Sequence, residues 1–293
     1  MNLIRRGKVK EVYDLGDRLL FKFTDNISVF DKIIPTRIPN KGKSLCLTSE
    51  FWFEKLRDMK IDNHFLELRS DTEMVVRKFN IISNPKTSDK NYLIPLEFIV
   101  RHYVAGSLYR KINSGKIDAK SLGIKGEYGE KLPEPYFEIT TKFEEYDRKV
   151  DFREAMDIGG LTEEDIEEIR EIILKIDEEM EREVSRRNLI HVDGKKEFAM
   201  DSERNIVVVD TFGTLDEDRW WDREKYEQGE IVELSKEFVR KYYIDIGYYD
   251  ELTRARECGD KEPDIPPLPD DMVKRTEKLY IEMYERITGR RWR

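Results

Sequence analysis

Residues 191–210 read as a β-hairpin. The stretches 196–200 and 206–210 are strand-like and flank the polar run 201–205, which predicts a β-hairpin with a tight turn near Glu203 and Arg204. A turn centred there sets Glu197 opposite Asp210, at a Cβ separation of ~5 Å. Because side chains alternate across a strand, Asp193 and Lys195 share the face of Glu197, while Phe198, Met200, Val207 and Val209 take the other and belong to a core. Such a strand needs an apolar layer on one side and a polar site on the other. The polar side has two readings. Three acids and a lysine converging on one face suit Mg²⁺, which takes one or two protein carboxylates and fills its shell from phosphates and water. Alternatively, the face is solvated and its charges form ordinary ion pairs. The place of Asp210 at the end of an apolar strand, where ligands are commonly held, favours the metal.

The clearest helix precedes this hairpin. Gly159 and Gly160 break the chain, Thr162 can cap, and acids fill the first turn. Ile166, Ile169, Ile173, Ile176, Met180 and Val184 then recur at helical spacing, so a helix is expected over 162–187, its acidic run a solvated face. Earlier, strands are expected at 9–13, 19–23 and 74–82, with a helix over 44–59. The polar run 83–91 separates a β-rich lobe, 1–90, from a larger α+β lobe, 91–243. A helix near 231–243, a proline-rich connection over 263–269 and an amphipathic helix capped by Asp270 follow. Residues 244–293 read as a helical extension packed on the core. A length of 293 residues suits two lobes sharing a core, with a cleft between them.

Charge narrows the function. A net charge of −9 argues against a general nucleic-acid binder. Residues 1–60 nevertheless hold thirteen Lys and Arg against eight Asp and Glu, an excess that could meet a phosphorylated ligand. No stretch reaches the ~18 to 20 apolar residues of a membrane span and the first residues lack an apolar signal core, so a cytoplasmic protein with no membrane partner is expected. Cys46 and Cys258 lie far apart, without metal-binding spacing, and read as reduced thiols. A charged fraction of 39% is the composition of surface ion-pair networks, while 11% aromatic residues argue against disorder.

Two further segments could meet anions. Gly7-Lys8-Val9-Lys10 precedes a strand–turn–strand pattern, where a glycine lets backbone approach a phosphate and two alternating lysines project to one side. It is not a Walker A loop, and a basic edge strand also accounts for it. Farther on, Gly106-Ser107 start a helix through Leu108, Tyr109 and Ile112, and a helix N-terminus with Arg101 nearby is an anion site, unless Ser107 is only an N-cap. His64, His102 and His191 are dispersed and read as structural, and the four tryptophans as packing.

Seven short patterns occur in order between residue 4 and about residue 243. Gly7, Lys8, Lys10 and Tyr13 meet G-K-x-K-x-x-Y, and Ser28, Phe30 and Asp31 meet S-x-F-D. Ile99, Val100, Arg101, Ala105, Gly106 and Ser107 meet V-V-R-x-x-x-A-G-S, and Thr140, Thr141, Lys142 and Glu144 meet S-T-K-x-E. Asp193, Lys195, Glu197 and Phe198 match D-x-K-x-E-F; Asp210, Thr214, Asp216 and Arg219 match D-E-x-x-T-P-D-S-S-R; Lys236 and Arg240 match K-x-x-x-R. In this combination the chain resembles the SAICAR synthetase family of purine biosynthesis.

The resemblance implies an α+β, two-lobed fold, with an N-terminal antiparallel β lobe, a larger α/β lobe and an ATP cleft between them. It implies an ATP-dependent ligase joining L-aspartate to carboxyaminoimidazole ribonucleotide (CAIR) through an acyl phosphate, with release of ADP and phosphate. By the same resemblance Gly7, Lys8, Lys10 and Lys78 bind ATP, Glu197 and Asp210 hold Mg²⁺, and Arg101 and Ser107 take the ribotide 5′-phosphate. Lys142, Asp216, Arg219 and Arg240 line the carboxylate and aspartate pocket, and Asp193, Lys195 and Asp216 form the catalytic set. The chain departs from the pattern at Thr211, Leu215, Glu217 and Asp218, where the last two replace serines and add negative charge to a ligand-binding loop. A homodimer is the default assembly. Two rivals are a small-molecule kinase on the same ATP lobe, with no need of aspartate, and a nucleotide-binding regulatory module needing neither Glu197 and Asp210 nor Lys195.

Overall fold

The computed structural model describes residues 1–144 and 148–293. Strands β1 (Asn2–Arg6), β2 (Lys10–Asp14) and β3 (Arg18–Phe23) form an antiparallel meander, followed by a separate ribbon of β4 (Asn26–Val29) and β5 (Lys32–Arg37). Helix α1 (Lys41–Asp58) then leads to the hairpin of β6 (Phe65–Ser70) and β7 (Glu73–Arg77). Pairing of β7 with β3 completes a five-stranded sheet in the order β1-β2-β3-β7-β6. The apolar stripe of α1, including Leu45, Trp52, Phe53 and Leu56, packs beneath it.

Three local expectations change here. Residues 7–9 form the turn between β1 and β2, closed by the Gly7 N–H donating to the Lys10 carbonyl (2.8 Å). The two lysines therefore diverge, Lys8 to Asp31 and Lys10 to Asp210. All five residues of β1 are exposed, which left no alternation to read in the sequence. The strand expected over 74–82 stops at Arg77, because Asn80 bridges instead to Tyr92 of the second sheet.

The second sheet contains β8 (Tyr92–Leu93), β9 (Leu96–Tyr103) and, after helix α2 (Gly106–Asn113), β10 (Lys131–Thr141) and β11 (Lys149–Val150). Helices α3 (Phe152–Gly159) and α4 (Glu163–Ser185) precede β12 (Leu189–Met200), β13 (Ile206–Val209) and β14 (Asp218–Asp222). Its main path is β11-β10-β9-β12-β13, and the long β12 also pairs with β8 and β14. Thr162 and Asp165 form a capping box at the start of α4, whose isoleucine stripe lies in the core against β12.

The hairpin is one residue out of the expected register: Glu197 pairs with Val209, not with Asp210. Its connection is a three-residue loop, closed by Asp201 N–H donating to the Asn205 carbonyl (3.0 Å), with Arg204 in the left-handed region (φ 67°). An odd loop moves every pair by one residue, which changes the faces. Phe198 and Met200 keep to the main core with Val208 and Ile206, whereas Val207 and Val209 lie with Ala199 beside Phe79 and Leu93. Asp210 leaves the strand in the left-handed region (φ 62°) and reaches the cleft by that turn.

The chain ends in α5 (Arg223–Glu227), α6 (Glu237–Asp245), α7 (Tyr248–Cys258) and α8 (Asp270–Thr288). Residues expected to begin a helix near 231 pair back instead, with a Trp221–Glu233 bridge and Leu234 N–H on the Trp220 carbonyl (2.8 Å), so α6 starts at Glu237. Asp270 is the first residue of α8, not its cap; Pro269 holds the cap position without a side-chain bond. Helix α8 packs on α1 and α4, and Tyr280, Met283 and Ile287 join the core that runs through both sheets. The result is an α+β, two-lobed architecture. Among the described residues no helix is long and apolar enough to cross a membrane.

Candidate active site

A cavity of about 590 Å³ is lined from both sheets. Val12, Leu19, Phe21, Phe79, Leu93 and Val209 give it apolar walls, while the turn Gly7–Lys10, Lys78, Lys142, Glu197, Asp210 and Glu217 give it a charged end. An apolar slot ending in fixed cations and acids suits a nucleobase carrying a polyphosphate. Lys10 lies over the Phe21 ring (4.6 Å) against Asp210. Lys78 donates to the Asp14 carboxylate (2.8 Å) and the Gly16 carbonyl (3.2 Å) at the margin. His64, buried below, places Nε2 3.0 Å from the Asp210 carbonyl, and burial keeps its imidazole neutral.

A second cavity, about 260 Å³, is lined mostly by charged residues. Antiparallel pairing sets Arg101 of β9 and Arg219 of β14 on either side of Asp193 in β12. Asp193 Oδ2 accepts from both guanidiniums, each at 2.7 Å. Ser107 is not an N-cap: Ala105 holds that position, and the Ser107 hydroxyl accepts from Arg101 (2.9 Å) in the first turn of α2. Gly106 takes φ +53°, and a Cβ there would lie 2.7 Å from the Arg219 guanidinium, so only glycine brings this turn so close. Arg110, Lys236 and Arg240 extend the cationic wall, with Arg240 paired to Glu237 (2.9 Å).

The two cavities share a wall. Lys195 lines the second, Glu197 the first and Glu217 both. Lys195 Nζ lies 2.8 Å from Glu97, 3.4 Å from Glu197 and 3.4 Å from Glu217, while Lys142 contacts the other oxygen of Glu197. Burial opposes the charge of Lys195, but Glu217, Glu197 and Glu97 outweigh it and hold its pKa well above the ordinary value. Lys195 is therefore a permanent cation. Burial likewise works against Glu197, yet Lys142 and Lys195 keep it well below the usual carboxylate range. Glu97 behaves oppositely: burial pushes it up to about 7, against Lys195. The carboxylates of Glu97, Glu197, Asp210 and Glu217 are met in turn by the ammoniums of Lys10, Lys142 and Lys195. A hard divalent cation such as Mg²⁺ fits that donor chemistry.

The loop after Asp210 does not carry uncompensated charge. Asp216 accepts from Lys41 (2.6 Å) and Tyr280 (2.6 Å), with Lys236 at 3.4 Å. Burial would raise its pKa, but Lys236 and Lys41 hold it below the usual range. Asp218 points inward, fully buried, with His191 Nε2 at 2.7 Å, the Gly213 N–H at 2.5 Å and Lys196 at 3.7 Å. A Cβ at Gly194 would overlap its carboxylate. Lys196 also meets Asp177 (2.6 Å), which holds His102 Nε2 at 3.0 Å. Glu217 and Asp218 thus add negative charge to this loop, and cationic partners meet it: Lys195 for Glu217, His191 and Lys196 for Asp218.

Three residues of this neighbourhood escaped the sequence reading. Glu97 was legible, since it alternates with Ile99 and Arg101 on one face of β9. Lys41 was legible in part, as it falls at helical spacing with the buried Leu45 and Ser49. Tyr280 gave no signal, because a buried tyrosine in an amphipathic helix looks like packing.

A family model described as SAICAR synthetase matches residues 3–255. Phosphoribosylaminoimidazole-succinocarboxamide synthases of Thermoplasma acidophilum and Thermoplasma volcanium are 55% and 57% identical to the chain, each over 100% of both proteins. Among solved structures, the SAICAR synthase of Saccharomyces cerevisiae complexed with SAICAR superposes with a TM-score of 0.77 at 27% identity, over 99% of this chain and 95% of that one. A SAICAR synthetase in complex with ADP superposes with a TM-score of 0.71 at 26% identity, over 99% of both. With sequence patterns, fold and relatives in agreement along its length, the chain belongs to the SAICAR synthetase family.

Proposed function

We propose that the protein joins L-aspartate to the carboxylate of CAIR, forming SAICAR, ADP and phosphate. One observation carries this reading: an apolar slot with a cationic end and an arginine-walled anion cavity share the wall of Lys195, Glu197 and Glu217. A phosphoryl group passes only between ligands that come together, and Lys195, Glu197 and Glu217 stand where the two cavities adjoin.

A carboxylate resists attack by an amine, so it is first activated. An oxygen of the CAIR carboxylate attacks the γ-phosphorus of ATP and ADP leaves; the aspartate amine then attacks the acyl carbon and phosphate leaves. Gly7, Lys8, Lys10 and Lys78 hold ATP along the first cavity. Arg101 and Ser107 take the 5′-phosphate of the ribotide, a fork-shaped donor and a hydroxyl suited to that anion. Lys142, Arg219 and Arg240 orient carboxylates, while Asp193 fixes Arg101 and Arg219 at one separation. Lys195, charged throughout, stabilises negative charge developing between the two ligands. Asp216 organises the loop bearing Arg219. Glu197 and Asp210 would hold Mg²⁺, which neutralises phosphate charge during the transfer.

In the same reading the β-rich part, about 1–90, is the nucleotide lobe, residues 91–243 carry the metal and substrate site, and 244–293 are an extension on the core. The enzyme is cytoplasmic, works on small molecules without nucleic acid or membrane, and assembles as a homodimer. The deciding assay measures ADP release with CAIR, with and without L-aspartate. Aspartate-dependent ADP release with formation of SAICAR is expected; turnover indifferent to aspartate refutes the ligase reading.

A further inference from the structure

Helix α8 meets the ligand-binding loop through a side-chain hydrogen bond. Tyr280, fully buried, donates its hydroxyl to Asp216 Oδ1 (2.6 Å), and Lys41 holds Oδ2 (2.6 Å) with its ammonium 5.3 Å from the Tyr280 ring centre. The helix is itself fixed at this point. Ser44 donates to the Tyr280 carbonyl (2.8 Å), and Asn40 donates to Glu277 (2.7 Å).

Lys41 and Lys236 already meet the charge of Asp216, so the phenol is not needed for neutralisation. A core position asks only for an aromatic ring, and burying a hydroxyl there is unfavourable unless it is hydrogen-bonded. What the hydroxyl adds is direction: with Lys41 it fixes the plane of the carboxylate. From that anchored residue the chain presents Glu217 and Arg219 to the second cavity.

We propose that Tyr280 is a positioning residue for the ligase reaction, which it serves by holding Asp216 and thereby the loop that carries Glu217 and Arg219. The C-terminal helix is then a working part of the substrate site. This inference rests on the substrate-pocket reading above.

Tyr280→Phe keeps the ring and removes the hydroxyl. The KM for L-aspartate is expected to rise about tenfold, the effect of one hydrogen bond to a charged group, with the KM for ATP unchanged. In the unliganded enzyme, hydrogen exchange should quicken across residues 213–219 while α8 stays protected. In an Asp216→Ala background the same substitution should cost much less than in the wild type, because the acceptor of the hydroxyl is already gone. Unchanged exchange over 213–219, equal rises in every KM, or equal costs in both backgrounds would overturn the proposal. Exchange needs no turnover, so a wild type that ignores aspartate would sink the ligase reading while still leaving Tyr280 to be judged.

Discussion

Serine stands in the family pattern where this chain has Asp218, and restoring it is predicted to harm the protein. Asp218 is fully buried, and its carboxylate receives the Gly213 N–H and sits 2.7 Å from His191 and 3.7 Å from Lys196. Asp218→Ser leaves two buried cationic groups with Asp177 as their nearest carboxylate. Removing one partner from a buried charge network costs ~3–5 kcal/mol. Near neutral pH His191 can shed its proton and soften the loss, so about 2–4 kcal/mol is expected. At roughly 2–4 °C per kcal/mol, the unfolding midpoint should fall by about 5 to 15 °C. Calorimetry and denaturant unfolding at two pH values give the test. Burial opposes the His191 charge, but Asp177 and Asp218 hold its pKa above the ordinary histidine value of 6.5. A raised basic pKa stabilises the fold fully below that ordinary value and fades as pH rises through the elevated one. The cost of Asp218→Ser should therefore be larger at pH 6 than at pH 9. Asp218→Asn, which keeps the shape, should show most of the loss. If both variants unfold within about 0.5 kcal/mol of the wild type, the buried network carries no net stability and the reasoning fails.

Other consequences are equally measurable. Glu197→Gln should abolish turnover while CAIR still binds by calorimetry, since Arg101 and Ser107 are untouched; full activity would refute the metal assignment. In the metal-free enzyme, Glu97→Gln should stabilise at pH 8 by about 1–2 kcal/mol but scarcely at pH 4. The sign follows from burial raising the Glu97 pKa to about 7: the fold then favours the protonated acid, and stability is lost as pH climbs from about 4.5 to 7. An equal effect at both pH values would contradict this. Gly106→Ala should raise the KM for CAIR at least tenfold by straining the turn and pushing on Arg219, and unchanged kinetics would show that the close approach is dispensable.

The fold was legible where one face of an element is uniformly apolar. The isoleucine stripe of α4 and its Thr162 cap needed no partner to be read. Elements that depend on distant partners were read less well. The register of β12 and β13 turned on whether the loop held two residues or three, and the left-handed Arg204 is a choice that sequence leaves open. At the site, charged residues alternating along β12 pointed to a polar face, yet which cation met which acid depended on Arg101 of β9 and Arg219 of β14, 92 residues before and 26 after Asp193. Lys41 and Tyr280 lie 175 residues before and 64 after Asp216, and their meeting there belongs to tertiary packing alone.

The overlap between a side chain at 194 and the Asp218 carboxylate also makes the two positions interdependent. Glycine at 194 is a condition for aspartate at 218, and His191 Nε2, 3.1 Å from the same Cβ, keeps the space tight in either case. Gly194→Ala should therefore destabilise this chain strongly, and Asp218→Ser should relieve part of that cost in the double variant.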